Sequence, residues 1–138
     1  MAARNDSSSL AAPAAGGGSA PATVPVLDRA AMLEIVEQDL ELLRELVEIF
    51  LAECPGLLAQ IRSGVQDKNA EHVERSAHTL KGALMNFGAQ RACEVARQLE
   101  IRGREARLDD AAQLASQLES EVAQACQALS DYLREAVP

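Results

Sequence analysis

The chain has 138 residues, 48% hydrophobic and 25% charged, enough for one packed domain with a charged exterior. Aromatics make up 2% and tryptophan is absent, so the core must be Leu, Ala, Val and Ile, which suits helices packed on helices and disfavours sheets. A net charge of −8 argues against nucleic acid, which needs a basic surface, and against an anionic membrane.

Residues 1–26 are rich in Ala, Gly, Pro and Ser, with Gly16-Gly17-Gly18 and no apolar period. They are predicted to be a disordered tail or tether, with the folded domain over 27–138. Arg4 is followed by no apolar segment, so the start does not read as a signal peptide. No apolar run reaches the ~18 residues of a membrane helix, and a cytoplasmic protein is expected. Cys54, Cys93 and Cys126 are odd in number, widely spaced and beside apolar positions, as buried thiols in a reducing compartment would be.

Asp28 is a good N-cap for a short first helix, Arg29 to about Glu37, whose Met32, Leu33 and Val36 can lid a bundle. Asp39 caps a longer helix with the stripe Leu42/Leu43, Leu46/Val47, Phe50, Leu57 and Ile61. The stripe keeps phase across Pro55, which predicts a kinked but continuous helix. After a loop around Val65 to Lys68, Asn69 or Asp67 can cap a third helix ending near Phe87, with Gly88 in the left-handed position past its end. The fourth helix is predicted from about Ala89 to Arg104, with Ala92, Val95, Ala96 and Leu99 inward and Gly103 weakening its last turn. The last runs from about Leu108 to Ala136 on Ala111, Leu114/Ala115, Leu118, Val122, Ala125, Leu129 and Tyr132/Leu133. Short connections make neighbours antiparallel. The predicted fold is all-α: an up-down-up-down four-helix bundle with a short additional N-terminal helix.

In the third helix Val73, Ala77, Leu80, Leu84 and Phe87 form one apolar stripe. At ~100° per residue His78 falls roughly 140° from its middle and faces solvent. Lys81 and Gly82 follow at one turn. A glycine inside a helix costs roughly 1 kcal/mol relative to alanine, and this one lies opposite the stripe, where core packing does not explain it. A bare patch beside an exposed imidazole does: something must approach the histidine. An exposed nucleophilic nitrogen, a cation and a cleared approach describe a site that receives a phosphoryl group.

The run His78-x-x-Lys81-Gly82, then Asn86-Phe87-Gly88-Ala89 and Leu99-Glu100, resembles the histidine-containing phosphotransfer (HPt) domain of phosphorelays, over about Leu27 to the C-terminus. The resemblance implies that His78 accepts a phosphoryl group from the aspartyl phosphate of one receiver domain and passes it to another. It implies response-regulator receivers as partners, including that of a hybrid histidine kinase. It places Mg²⁺ on the receiver, so no cofactor is expected on this chain. A neutral imidazole needs no special base, and Lys81 can offset phosphate charge. Family positions matching Glu100 and Arg104 lie near the histidine. The first often carries glutamine, so Glu100 is a departure: it can fix the imidazole tautomer but would repel phosphate.

By spacing, Arg97, Glu100 and Arg104 share one flank of the fourth helix. Met85, apolar on the exposed side, suggests partner contact. His72 faces elsewhere and cannot act with His78. Glu74 and His78 are at i and i+4, but there is no His-Glu-x-x-His or Cys/His cluster, so no metal is expected. Nothing resembles a nucleotide-binding kinase core, so the chain is read as a relay and not an enzyme. The rival from another class is a non-catalytic adaptor or dimerisation module of HPt-like fold, which would have no reason to keep His78, Lys81 and Gly82 together. A third reading, the phosphoacceptor domain of a chemotaxis-type kinase, is disfavoured by the absence of a catalytic domain after Pro138.

Overall fold

The computed structural model describes residues 24–136. The tail expected over 1–26 therefore lies, up to residue 23, outside the described residues, and Val26 and Leu27 already pack on the core. The described residues form five helices: α1 (Arg29–Ile35), α2 (Leu40–Gln66), α3 (Ala70–Met85), α4 (Gln90–Arg104) and α5 (Ala111–Ala136).

Each of the first three helices starts where a short polar side chain satisfies a free backbone donor. Asp28 accepts from the Ala31 amide at 3.1 Å, Asp39 from Leu42 at 3.0 Å and Asn69 from His72 at 3.1 Å. Asn69, not Asp67, caps α3; Asp67 closes the C-terminus of α2. Helix α2 runs unbroken through Pro55, whose ring sits on the exposed face, where the freed carbonyl one turn back can meet water.

Helices α2 to α5 pack in a closed ring, α2 on α3, α3 on α4, α4 on α5 and α5 on α2. The core is aliphatic, centred on Leu43, Val47, Ile61, Val73, Leu80, Leu84, Leu99, Leu118, Val122 and Leu129. Phe50 and Phe87 meet at 5.1 Å. Helix α1 crosses one end: Met32 and Val36 are buried, Arg29 lies over the Tyr132 ring at 5.0 Å, and the Asp28 amide donates to the Gly88 carbonyl at 2.9 Å. Gly88 has φ +63°, and a Cβ there would stand 2.6 Å from the Asp28 Cβ, so both the turn and the seat of α1 require glycine.

Several expected details differ. Leu42 is exposed and Leu57 only partly buried, because the inward line of α2 runs through Leu43, Val47, Phe50, Cys54, Ile61 and Gly64. Helix α3 stops at Met85 and α5 starts at Ala111; the turns take up the remaining residues. Gly103 does not weaken α4. It is buried, and a Cβ on it would lie 2.6 Å from the Glu74 amide nitrogen and 2.7 Å from the Ala70 carbonyl oxygen. It is the point where the α4 backbone lies directly on α3.

Candidate functional site

That close approach sets the site. One turn before Gly103, Glu100 points from α4 across to α3, where His78 and Lys81 sit one turn apart. The His78 ring is open to solvent, 68% exposed, while the Glu100 side chain is 7% exposed. The exposure of His78 follows from its angle to the stripe, since Val73, Ala77, Leu80 and Leu84 are all buried on the opposite face.

Glu100 holds the cluster together. Its Oε2 lies 2.8 Å from Nδ1 of His78 and its Oε1 accepts from Nζ of Lys81 at 2.7 Å. Arg104 donates to Oε2 at 3.1 Å and reaches Glu74 at 3.4 Å. Burial pushes the Glu100 carboxyl up, but hydrogen bonds from Lys81 and His78, with the charge of the Lys81 ammonium, outweigh it and leave the pKa below that of an ordinary glutamate. A carboxylate can only accept, so the proton of the imidazole is assigned to Nδ1. The lone pair of the neutral ring then belongs to Nε2.

The depressed carboxyl has a consequence for stability. Its contribution is complete above the ordinary 4.5 of a glutamate and is lost as pH falls through the lower folded value. Unfolding free energies from urea titrations between about pH 6 and about pH 3 should therefore fall more steeply for the wild type than for Glu100→Gln. Parallel curves would mean that the folded carboxyl titrates normally.

The sequence-derived residues are thus only partly brought together. His78, Lys81, Glu100 and Arg104 form one cluster. Arg97 is not part of it; it pairs with Glu94 on its own helix at 2.7 Å. Gly82 is exposed, and a Cβ there would meet nothing within 4 Å. Met85 is exposed one turn beyond Lys81. His72 packs at the α2–α3 crossing, its Cβ 3.4 Å from a Cβ placed on Gly64. Glu74, expected only as a spacing partner of His78, carries the ion-pair chain onward from Arg104 and lines a groove with His78, Thr79 and Glu100. Its position one turn before His78 was the available signal. Among the described residues no group of three His, Cys, Asp or Glu side chains is placed to hold a metal ion, and no helix is long and apolar enough to cross a membrane.

A helical bundle of this shape is the fold of solved histidine-containing phosphotransfer proteins. HptB from Pseudomonas aeruginosa PAO1 superposes with a TM-score of 0.75 at 23% identity, over 80% of this chain and 96% of that one. The HPT domain of a sensor hybrid histidine kinase from Shewanella gives 0.70 at 17% identity, over 82% and 97%. The Hpt domain family model matches residues 45–132, and the chain belongs to that family, the histidine phosphotransfer modules of two-component phosphorelays. No curated protein matches the chain.

Proposed function

We propose that His78 is the phosphoacceptor, taking a phosphoryl group from the aspartyl phosphate of one receiver domain and giving it to another. The observation that carries this reading is the bond from Nδ1 of the exposed His78 to buried Glu100, which leaves Nε2 as the free nucleophile. Nε2 attacks phosphorus in line; the P–N bond forms as the P–O bond to aspartate breaks, and aspartate leaves as a carboxylate. The product ring keeps its Nδ1 proton and gains positive character, which the Glu100 carboxylate faces directly. Both oxygens of Glu100 are engaged by cations or by the ring and turned inward, so its repulsion of phosphate is muted. Lys81 and Arg104 supply the countercharge, held ready by the same carboxylate.

The chain contributes nucleophile, countercharge and docking surface. The Mg²⁺ of such a transfer and the groups around it belong to the receiver. A relay of this kind works in the cytoplasm, between receivers that include one of a hybrid histidine kinase. The direct test is incubation with purified phosphorylated receiver domains. An acid-labile, base-stable label should appear on the protein and pass to a second receiver; no label from any receiver would overturn the reading.

Gly82 gives a separate check, because stability and function should move in opposite directions. Nothing stands within 4 Å of a Cβ at this position, so the helix penalty of glycine is unrelieved. Gly82→Ala should raise stability by up to ~1 kcal/mol. Gly82→Gln should melt no lower than wild type yet transfer far more slowly, because its side chain fills the space beside His78. Wild-type transfer by the glutamine variant would show that the space is not used.

A further inference from the structure

Among the described residues four large hydrophobic side chains stand exposed: Ile35 (51%), Leu42 (39%), Ile49 (53%) and Met85 (60%). All four lie toward the end of the bundle that α1 crosses. Ile49 and Glu53 of α2 share a shallow groove with Ala83 of α3 and with Asn86 just past its end. Met85 shares another with Lys81 and with Ala31, which is one turn before Ile35 on α1. A third groove leads from Glu53 past Gly56 to Thr79, the chain neighbour of His78. Gly56, like Gly82, leaves open space where a side chain would stand. The grooves beside the exposed apolar side chains therefore reach the residue next to the imidazole.

The charge around this surface is one-sided. Between Asp28 and Glu53 there are eight carboxylates and two arginines, which accounts for six of the chain's eight net negative charges. Glu34, Glu37, Glu41, Glu45, Glu48 and Glu53 are all exposed. At the other end of the bundle carboxylates face arginines of other elements, as in Arg62–Glu119 and Arg102–Asp110. A second copy of this chain would bring the same negative collar against it. Residues 1–23 offer one arginine and one aspartate, and so no excess of positive charge.

We propose that this face docks receiver domains whose contact surface is apolar at the centre and basic at the rim, so that charge selects among receivers. The inference rests on the phosphotransfer reading. Complementary charge acts on encounter and on the rejection of wrong partners more than on the chemical step.

The test reads binding and transfer separately, with purified receiver domains of the source organism that differ in the charge around their phosphorylated aspartate. Calorimetric Kd values should be tightest for receivers with a basic rim. The double variant Glu45→Lys/Glu48→Lys should weaken that binding about tenfold, as should raising salt from about 50 to about 500 mM, while the transfer rate at saturating receiver stays at the wild-type value. Ile49→Asp should weaken binding without altering helicity. Binding unmoved by charge reversal and salt overturns the proposal. So does a dimer, seen by sedimentation, that Ile49→Asp disperses, since the face would then belong to a second copy. Receivers that bind as expected but leave no label on His78 would overturn the phosphotransfer reading and leave the surface standing.

Discussion

Replacing His78 with glutamine should abolish phosphorylation by a cognate receiver while leaving the bundle intact. The loss is expected to be complete because the substitution removes the nucleophile itself, and Lys81 and Arg104 are both engaged with the Glu100 carboxylate. The fold should scarcely notice. His78 is mostly solvent-exposed, and a glutamine amide can still donate to Glu100, so unfolding free energy should stay within about 0.5 kcal/mol of wild type. The measurement is a phosphotransfer assay with urea denaturation on the same preparation. The chain has two histidines, and His72 lies at the α2–α3 crossing. Label persisting on the variant, or found on His72, would remove His78 from the role.

The largest effect on stability should come from Gly103→Ala. At an ordinary helical position this change stabilises by roughly 1 kcal/mol. Here the added methyl would stand 2.6 Å from the Glu74 nitrogen, 2.7 Å from the Ala70 oxygen and 2.9 Å from the Glu74 Cα. All three are backbone atoms of α3, and none can swing aside, so the helices must part. Overpacking of this kind costs about 1–3 kcal/mol or more, which outweighs the gain in propensity. Parting α4 from α3 also carries Glu100 away from His78 and Lys81. The expected result is a lower urea midpoint together with a change in the His78 ring resonances that report the Nδ1 proton. The same substitution at Gly82 should have the opposite sign. If Gly103→Ala is as stable as wild type with unchanged His78 resonances, the two backbones are not in contact.

Much of this was legible in the sequence because it followed from angle along a helix. The order of the helices, the Asp28 and Asp39 caps, the left-handed Gly88 and the exposure of His78 come from short-range spacing, which the fold preserved. What was not legible depended on distances between helices. Gly103 looks like a defect until the backbone beneath it is known. By spacing alone Glu100 is one charge on a helix flank; the family resemblance set it near His78, but its burial is created by α3 and not by α4. Arg97 sits one turn before Glu100, yet it turns to Glu94, because the local i−3 partner is nearer than anything across the groove. The acidic collar could have been read by counting charges between Asp28 and Glu53, but its meaning required the exposed Ile35, Leu42 and Ile49 beside it. Leu42 and Leu57 show the limit of periodicity: paired leucines in a long helix leave open which of two adjacent faces turns inward.

The stacking of Arg29 on Tyr132 has a practical side. With no tryptophan and a single tyrosine, the protein has one useful intrinsic fluorophore, and it lies at the seam between α1 and α5. Its emission reports one event, the seating of α1 across the end of the bundle. A receiver that lands on Ile35 and shifts α1 would announce itself in that signal, with no dye attached and no residue changed.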